Sequence, residues 1–415
     1  MALRFLYTFF IYKILLILQF ARFFSNPIDQ LLKGHRKERE KLYQLPIAKS
    51  DFTFWFHTAS LGEFEQCRPL IEQSKRAYPK AKILLTFFSP SGYEVQKNYA
   101  LADGVCYLPF DTPRNVAFFL NRFQPKIAVF VKYEFWPNYL YKLNQRKIPV
   151  FSVSSRFHKN QLFFKYYGKW MFKQLSYISH FFVQDNNSKN LLESHGFKNV
   201  TYSGDTRMDR VLEIQKNCSP IPEIETFLDG KPCVVIGSSW EADHALLFPS
   251  LLEQSDLKII IAPHLVDTRA IDALIKHINI PFARWSKWNP TQEKDKKLLI
   301  VDTIGILSKL YQYADWSYVG GGMTKKGLHN ILEPAAFEIP VIIGKYSSKF
   351  AEAQDLIALG GVFRVDNSNA LMECVELLIS NEEKRDQAGK INKTYILDKS
   401  GATKQIFDGI FTELG

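Results

Sequence analysis

Short apolar runs alternate with amphipathic stretches from about residue 53 onward, and this alternation limits the possible folds more than any other feature. The first runs, each bounded by turn residues, are 53–57, 82–88, 104–110, 126–131, 149–154, 180–184 and 199–204. The pattern restarts with 232–238, 257–263, 297–302, 316–321 and 340–344. Strands separated by helical stretches form parallel sheets, so the sequence predicts an α/β fold of two doubly wound, Rossmann-like domains facing a cleft. No repeat of 20–50 residues is visible, which excludes a solenoid.

The domain boundaries follow from this alternation and from the residues that interrupt it. Residues 215–231 contain prolines and polar residues, which is typical of a linker. The remaining predicted parts are a membrane-anchor helix at 1–24, a basic juxtamembrane segment at 25–50, a first domain at 51–214, a second domain at 232–395 and a C-terminal helix at 396–415. Packing of the C-terminal helix back against the first domain is one option.

The first 24 residues are mostly apolar and are interrupted by Lys13. A helix of about 20 such residues is long enough to cross a bilayer. No small-residue cleavage site precedes the basic cluster that follows, formed by Lys33, Arg36, Lys37, Arg39 and Lys41. The sequence therefore predicts an uncleaved anchor with the globular part on the cytoplasmic side, in which Lys13 leaves an interfacial helix as an alternative. A buried core helix is the less favoured interpretation.

The net charge of +11 is unevenly distributed. Residues 1–210 contain 31 Lys and Arg against 15 Asp and Glu, a net charge of +16, which leaves −5 for residues 211–415. A basic half of this kind is suited to nucleic acid, a membrane surface or a phosphorylated substrate, although it could also be an ordinary solvated face. The five cysteines show no metal-ligand spacing, so we expect reduced thiols and no metal site.

Glu63 directly follows a small-residue turn in the stretch "TASLGEFEQCRPLI". The preceding residues have the pattern of a strand and the following ones that of a helix, so Glu63 is expected in a first helical turn at the carboxyl end of a strand. Ligands of open α/β sheets bind at that edge. An acidic residue there also complements the helix dipole, which is a purely structural role.

A second candidate site lies in "YVGGGMTKKGLHNILEPAAFEIPVIIG", residues 318–344. A strand ends in three glycines, and a helix is expected to begin near His329 and Asn330, so that backbone amides could meet a phosphate. Glu333 could accept hydrogen bonds from a ribose. The pattern matches neither a dinucleotide fingerprint nor a P-loop, and a tightly packed glycine turn remains an alternative.

Five motifs together resemble the transferases of 3-deoxy-D-manno-octulosonic acid (Kdo). They are "TASLGEFEQCRPLI", "KYEFWPN", "SGDTRMDRV", "VDTIGILSKLYQYADWSYVGGG" and "GLHNILEPAAFEIPVIIG", and the similarity runs from about residue 50 to 365. The resemblance implies a GT-B fold with an acceptor domain first and a nucleotide-sugar domain second. It also implies inverting, metal-independent transfer of Kdo from CMP-Kdo to the lipid A precursor (lipid IVA) without a cofactor.

The resemblance assigns roles to residues of the first domain. Glu63 corresponds to the catalytic base, with Ser60 and Gly62 in its turn, and Glu134 and Arg207 correspond to groups that stabilise the transition state. A carboxylate near the acceptor hydroxyl can take up its proton during attack. We expect the helix dipole to hold Glu63 ionised, which would also make it a weaker base. Read alone, Glu134 and Arg207 would more often belong to surface ion pairs.

The resemblance also implies a CMP-binding set, to which the glycine loop is added on its own pattern. The expected donor residues are Pro263, His264, Ile304, Gly305, Ile306, Gly320, Gly321, Gly322, Asn330, Ile331, Leu332 and Glu333. Three positions depart from the common family pattern. His264 replaces an arginine, Ile306 replaces an acidic residue, and Lys132 and Tyr133 precede Glu134. Histidine is a weaker and pH-dependent phosphate partner.

The basic half matches a phosphorylated glycolipid acceptor in an anionic leaflet. The residues expected to bind the acceptor are Arg68, Lys132 and Arg156, with Lys159, Lys165 and Lys169 as further candidates. A GT-B enzyme that uses another nucleotide sugar is the main alternative. A non-catalytic protein binding membrane or nucleic acid would explain the charge but neither Glu63 nor the glycine loop, so nucleic acid is not expected as a partner.

Overall fold

The computed structural model describes residues 2–36, 38–49, 51–254, 256–325 and 327–412, with the side chains of residues 2, 38, 39 and 250 left aside. Lys37 and the side chain of Arg39, both part of the predicted basic cluster, lie outside the described part. The chain forms two compact units. The first comprises Met1–Arg210 and Ser400–Gly415, and the second comprises Val211–Lys399.

The first unit is built on a parallel sheet of seven strands in the order β3-β2-β1-β4-β5-β6-β7. The strands are β1 (Thr53–Thr58), β2 (Lys82–Phe87), β3 (Gly104–Tyr107), β4 (Ile127–Val131), β5 (Val150–Ser155), β6 (His180–Val183) and β7 (Val200–Tyr202). The strand order reverses between β1 and β4. That position is the topological switch point, where ligands of open α/β sheets bind at the carboxyl ends of the strands.

Helices cover both faces of this sheet. They are α1 (Ala2–Ala21), α2 (Asn26–Arg36), α3 (Glu38–Gln44), α4 (Leu61–Ala77), α5 (Pro90–Gln96), α6 (Pro113–Phe123), α7 (Pro137–Gln145), α8 (Lys169–Gln174), α9 (Asn186–Ser194) and α10 (Thr206–Lys216), with 3₁₀ turns at Leu162–Phe164, Tyr166–Gly168 and Leu175–Tyr177. Trp55 packs into one core, and its neighbours Phe54 and Phe56 pack into the other. This alternation is the period of two that a strand imposes, and here both faces are apolar because both are covered.

The second unit repeats the architecture with the strand order β10-β11-β9-β8-β12-β13-β14, all parallel. Its strands are β8 (Cys233–Ser239), β9 (Lys258–Pro263), β10 (Phe282–Arg284), β11 (Leu298–Ile300), β12 (Trp316–Val319), β13 (Val341–Gly344) and β14 (Val362–Val365). Its switch point lies between β8 and β12.

The helices of the second unit again lie on both faces of its sheet, around two buried clusters. They are α11 (Pro222–Leu228), α12 (Glu241–Leu251), α13 (Thr268–Ile275), α14 (Pro290–Glu293), α15 (Leu307–Leu310), α16 (Leu332–Ala336), α17 (Ala351–Leu359), α18 (Ser368–Ser380) and α19 (Glu382–Asp398), with 3₁₀ turns at Trp285–Lys287 and Tyr311–Tyr313. The prediction of two doubly wound Rossmann-like domains is confirmed.

All twelve predicted strands are present, and two further strands were missed. β10 and β14 have three and four residues, and in each of them only part of the side chains is buried. Both are edge strands, so neither shows a clear apolar run in the sequence. The stretch interpreted as a linker, 215–231, holds the end of α10 and the whole of α11, because Ile224 and Phe227 are buried in the core of the second unit.

The last helix, α20 (Ala402–Thr412), belongs to the first compact unit. Its Ile406 and Ile410 are buried in the same cluster as Phe54 of β1. The Asp209 carboxylate accepts hydrogen bonds from the backbone N–H groups of Gly401 and Thr403. The chain therefore returns to its first unit after completing the second.

The apolar N-terminal helix α1 lies along the first unit. Leu3–Ala21 has the length and composition of a membrane span, with a mean hydropathy of 1.6, and none of it is buried in the core. One stripe is partly covered, and it consists of Arg4, Tyr7, Thr8, Ile11, Leu15, Leu18, Ala21 and Arg22. The opposite face exposes large apolar side chains such as Phe5, which is 77% exposed, and Ile17. The helix is therefore not a core helix.

Candidate active site

The switch point of the first sheet brings two predicted site residues together. Glu63 lies in the first turn of α4, directly after the turn that follows β1. Glu134 lies in the loop between β4 and α7. β1 and β4 are neighbours in the sheet, and the charge of Glu134 acts on the carboxyl group of Glu63. Two carboxylates thus share one edge of this unit.

The environment of Glu63 raises its pKa. Burial is the largest cause and repulsion by Glu134 the next, while a hydrogen bond from the Ala59 backbone N–H and the charges of Lys132 and His57 act in the opposite direction. The expectation that the helix dipole would dominate and weaken the base is therefore wrong. Burial disfavours the charged carboxylate more than the helix start and the Ala59 N–H favour it. The raised pKa makes Glu63 a stronger base than an exposed glutamate.

Glu134 is held in place by two side chains. The Trp136 Nε1–H donates to its Oε2 at 2.9 Å, and His57 Nε2 lies 3.3 Å from the same oxygen. His57 is fully buried, and its Nδ1 lies 2.9 Å from the Thr86 hydroxyl of the neighbouring strand. The sequence analysis missed His57 because it lies within an otherwise apolar predicted strand. Its polarity at a strand end was the available signal.

The turn around Glu63 provides space as well as position. Ser60 is the N-cap residue of α4, but its side chain makes no capping hydrogen bond. The Glu63 carboxylate accepts the Ala59 N–H instead. A Cβ atom added to Gly62 would meet nothing within 4 Å. The surface at Gly62, the residue before Glu63, is therefore open.

Arg207 is the second residue of α10. Its guanidinium pairs with Asp205 at 2.7 and 2.8 Å. Asp205 also lies 3.5 Å from the Gln66 amide, and the Thr206 hydroxyl donates to the Gln66 backbone carbonyl. These contacts join the start of α10 to α4 and fix Arg207 on the same edge of the unit as Glu63.

The three expected acceptor-binding cations differ in their partners. Arg68 pairs with Glu72 of its own helix at 2.9 Å, and Arg156 pairs with Asp185 at 2.9 Å. Lys132 makes no side-chain hydrogen bond or ion pair within the described ranges, and its backbone is left-handed with φ of 56°. Its charge acts on Glu63. Lys132 is therefore the cation of this set that the structure brings to the carboxylate pair.

The glycine loop of the second unit follows β12 at the second switch point. A Cβ atom on Gly320 would lie 2.4 Å from the Ser238 carbonyl oxygen, and one on Gly322 would lie 2.8 Å from the Gly344 backbone nitrogen. Gly321 has φ of +89°. Close packing and backbone conformation thus require glycine at all three positions. This agrees with the alternative interpretation of the loop as a tightly packed glycine turn.

Asp243, which the sequence analysis missed, ties this loop to α12. Its fully buried carboxylate accepts hydrogen bonds from the Gly321 N–H at 3.0 Å, the Trp240 N–H at 2.8 Å and the Tyr318 hydroxyl at 2.8 Å. The Gly321 amide is therefore engaged within the protein.

Three rings stack beside the glycine loop. His264 lies between Trp240 and His329, with centroid distances of 4.5 and 4.4 Å, and the Trp240 indole N–H donates to His329 Nε2 at 2.9 Å. Burial lowers the pKa of His264. Burial, followed by the charge of His264, lowers the pKa of His329 to about 4. Both imidazoles are therefore neutral at pH 7, and neither replaces a permanent cation.

The remaining predicted donor residues lie in two loops at this sheet edge. Ile304 is 87% exposed, Gly305 has φ of +97°, and Ile306 precedes α15. The helix expected near His329 and Asn330 begins only at Leu332, because the Asn330 side-chain oxygen accepts the Leu332 N–H and its amide donates to Glu333.

Two of these residues cannot contact a donor through their side chains. Ile331 and Leu332 are buried in the unit, so they could contribute only backbone groups. A cavity of about 510 Å³ opens next to Pro263, between β9, α12 and α13, and Trp240, His244 and Arg269 are among its lining residues.

The two parallel sheets, each with polar side chains at its switch point, define the GT-B type of glycosyltransferase fold. A UDP-GlcNAc 2-epimerase from Neisseria meningitidis bound to UDP-GlcNAc matches with a TM-score of 0.60 and 14% identity, covering 87% of this chain and 100% of that chain. A glycosyltransferase from Rickettsia africae matches with a TM-score of 0.55 and 13% identity, covering 87% and 99%. At these identities the two matches show the fold alone.

Sequence comparison identifies the relatives of the chain. Residues 34–210 match the family model of 3-deoxy-D-manno-octulosonic-acid transferase (kdotransferase). A 3-deoxy-D-manno-octulosonic acid transferase from Haemophilus influenzae is 28% identical over 375 residues, covering 85% of each chain. The chain is thus a relative of the Kdo transferases, and the resemblance seen in its motifs is confirmed.

Proposed function

We propose that this chain is an inverting glycosyltransferase that moves Kdo from CMP-Kdo to the lipid A precursor, lipid IVA. The observation that carries the proposal is the position of Glu63 beside Glu134 at the switch point of the first sheet, where burial first and repulsion by Glu134 second raise the pKa of the Glu63 carboxyl group. Perturbed carboxyl groups at a ligand-binding edge are typical of catalytic bases. The relationship to Kdo transferases supports the choice of sugar.

In the proposed reaction, Glu63 takes the proton of an acceptor hydroxyl. The hydroxyl oxygen forms a bond to the anomeric carbon of Kdo while the bond from that carbon to the phosphate oxygen of CMP breaks. Attack opposite to the leaving group inverts the anomeric configuration. Glu63 ends protonated and CMP leaves with the bonding electron pair, so neither a redox cofactor nor a metal is required for the balance.

The neighbours of Glu63 have supporting roles in this proposal. Glu134 raises the basicity of Glu63 and is itself positioned by His57 and Trp136. Arg207 and Lys132 are cations on the same unit that can stabilise charge as it develops on the leaving phosphate or the acceptor. Arg207 would have to share its guanidinium with Asp205, its present partner.

The second unit is proposed to bind the CMP part of the donor. Asn330 and Glu333 present polar side chains at the sheet edge, and Pro263 and the exposed Ile304 lie in neighbouring loops of that edge. The ring stack around His264 offers an apolar surface and two neutral imidazoles where relatives are expected to have a cation. Because the Gly321 amide is engaged by Asp243, we assign the glycine loop to shaping the site rather than to phosphate binding.

The proposed location is the cytoplasmic side of the bacterial inner membrane. The exposed apolar face of α1 can enter a bilayer, and the basic first half of the chain is attracted to anionic lipids. Because α1 is partly covered by its own unit along one stripe, an in-plane position fits the structure better than a span. The same surface would bring the unit close to a lipid acceptor with phosphate groups.

Transfer can be measured by incubating the full chain in vesicles with CMP-Kdo and lipid IVA and determining the mass of the lipid product. We expect addition of Kdo, and we expect Glu63→Gln to lower the rate by about 100-fold or more, because general-base loss typically costs that much. CMP binding should persist in this variant. Glu94→Gln, an exposed glutamate on α5 of the same unit, is the matched control and should transfer normally.

Two results would contradict the proposal. Near-normal transfer by Glu63→Gln would remove Glu63 as the base. Preferential binding of UDP or GDP over CMP, measured by competition in a thermal shift assay, would move the chain to another nucleotide-sugar class.

A further inference from the structure

The N-terminal end of α1 packs against two helices of the same unit, α7 and α8. The Arg4 guanidinium lies 3.4 Å from the centroid of the Tyr141 ring. The Tyr7 ring lies 5.4 Å from that of Trp170, and the Tyr7 hydroxyl donates to the buried Asp111 at 2.9 Å. These contacts fix the position of α1 on the unit and leave a hollow beside them.

This hollow is a pocket of about 570 Å³ between α1, α7 and α8. It is lined by Arg4, Tyr141, Lys169, Trp170, Lys173 and Tyr177, together with Leu3 and Gln174. Three of these residues are cations and three are aromatic. None of the lining residues carries a negative charge, so no carboxylate of the lining neutralises the three cations.

The cations of the pocket have unused hydrogen-bonding capacity. The Nη1 atom of Arg4 is buried and has no hydrogen-bond partner. A charged donor of this kind is costly to bury unless an acceptor is supplied. Lys169 and Lys173 are exposed and form no ion pair in the part of the chain that the structure describes. The pocket therefore offers three cations to an anionic ligand.

The pocket is lined by neither carboxylate of the proposed reaction. Glu63 and Glu134 are at the carboxyl edge of the sheet, whereas Tyr141 lies a full turn along α7, the helix that leads back from that edge. Tyr177 lies in a 3₁₀ turn three residues before β6 begins, at the opposite edge. The pocket therefore extends toward the edge opposite the carboxylate pair.

We propose that this pocket binds the phosphate of an anionic membrane phospholipid. Phosphate is the group that a guanidinium and two ammonium groups bind best. The exposed apolar face of α1, which includes Phe5 and Phe9, begins beside the pocket and would contact the acyl chains. Trp and Tyr rings favour the headgroup level of a bilayer. The apolar face next to the cations selects a lipid over free phosphate, and the proposal does not depend on the reaction assigned above.

The test is native mass spectrometry of the full chain released from detergent micelles that contain phosphatidylglycerol. We expect one phosphatidylglycerol to be retained per chain. Lys169→Gln with Lys173→Gln should weaken its retention by about 25-fold, since each cation near an anionic lipid contributes roughly five-fold. Lys80→Gln with Lys198→Gln removes the same charge from exposed positions of the same unit and should retain the lipid within two-fold of wild type. Arg4→Gln removes one cation and should weaken retention by about five-fold.

Unfolding temperatures within about 2 °C of wild type for the two lysine variants establish that both fold. Equal retention by the pocket variant and the control would overturn the proposal. So would retention of zwitterionic phosphatidylcholine as strong as that of phosphatidylglycerol, or displacement of phosphatidylglycerol by equimolar inorganic phosphate. Displacement by equimolar lipid IVA would also overturn it, because the pocket would then be an acceptor site.

Discussion

Glu63 lies where the start of α4 and burial act on its carboxyl group in opposite directions. The helix start and the Ala59 N–H favour the charged form, whereas burial and Glu134 favour the neutral form. The effects that favour the neutral form are the larger ones, so the pKa of Glu63 is raised. As a base, Glu63 must be ionised, and transfer should therefore fall on acidification at a higher pH than an exposed glutamate would give.

Replacing Glu134 by Gln should shift this acid limb. The substitution removes the repulsion that is the second cause of the raised pKa, while burial of Glu63 remains. We expect a lower maximal rate together with an acid limb displaced to lower pH, measured as kcat/KM against pH. Glu94→Gln should leave the profile unchanged. An acid limb that does not move in Glu134→Gln would mean that the titrating group is not Glu63.

At the residue scale, motif resemblance pointed to Glu63, Glu134 and Arg207, and the structure places all three on one edge of one unit. It did not point to His57, which lies beside Glu134 although 77 positions separate them in the chain. Trp240 and His329 are likewise joined across 89 positions. Which polar side chains become neighbours depends on strand order and register. A single sequence does not specify these closely enough to pair individual side chains.

At the scale of elements, glycines in two turns should respond differently to the same change. Gly320→Ala would place a Cβ 2.4 Å from the Ser238 carbonyl oxygen and 2.6 Å from the Ser239 Cα, both of them backbone atoms that cannot easily move. We expect a loss of about 3 kcal/mol in the free energy of unfolding of the second unit. Gly62→Ala meets open space in the first turn of α4, so its free energy of unfolding should change by less than about 1 kcal/mol.

Urea denaturation followed by circular dichroism compares the two glycine variants directly. A stable Gly320→Ala variant would mean that the close approach of the glycine loop to β8 is relieved elsewhere. A severely destabilised Gly62→Ala variant would mean that the helix start is more crowded than the structure indicates. Transfer by Gly62→Ala then reports whether the open surface at Gly62 is used by the acceptor.

Secondary structure was predictable wherever the apolar pattern was long. Strands such as β1 and β9 are buried along almost their whole length and are mostly apolar, because parallel sheets are covered on both faces. β10 and β14 are short edge strands without that signal. The start of α16 was placed two residues too early, since the capping contact of Asn330 with Leu332 is a side-chain choice that the apolar pattern does not record.

At the scale of the whole molecule, the sequence predicted two similar sheets because the same alternation occurs twice. It left the position of α1 open between a span and an interfacial helix. The covered stripe of α1 includes polar residues, Arg4 and Tyr7, whose partners Tyr141 and Asp111 are more than 100 positions away. Composition alone could not reveal these partners, because mean hydropathy records how apolar a helix is and not what its polar residues contact.

Deletion of residues 1–24 tests how α1 and the basic surface share membrane binding. The buried clusters of the first unit begin at Leu42, so the truncated chain should fold. It should unfold at a lower temperature than the full chain, because Asp111 loses the Tyr7 hydrogen bond and the ring of Trp170 is uncovered. CMP affinity, measured by calorimetry, should be unchanged because the proposed donor residues all belong to the second unit.

Vesicle sedimentation then separates the two contributions. The truncated chain should bind anionic vesicles through its basic residues and lose that binding between about 0.1 and 1 M salt, because the Debye length falls from about 10 Å to 3 Å. The full chain should stay bound at high salt, since burial of the apolar face of α1 is not screened by ions. Binding by the truncated chain that ignores salt would contradict the basic-surface interpretation. Failure of that chain to fold would show that α1 is an integral part of the first unit rather than an attachment to it.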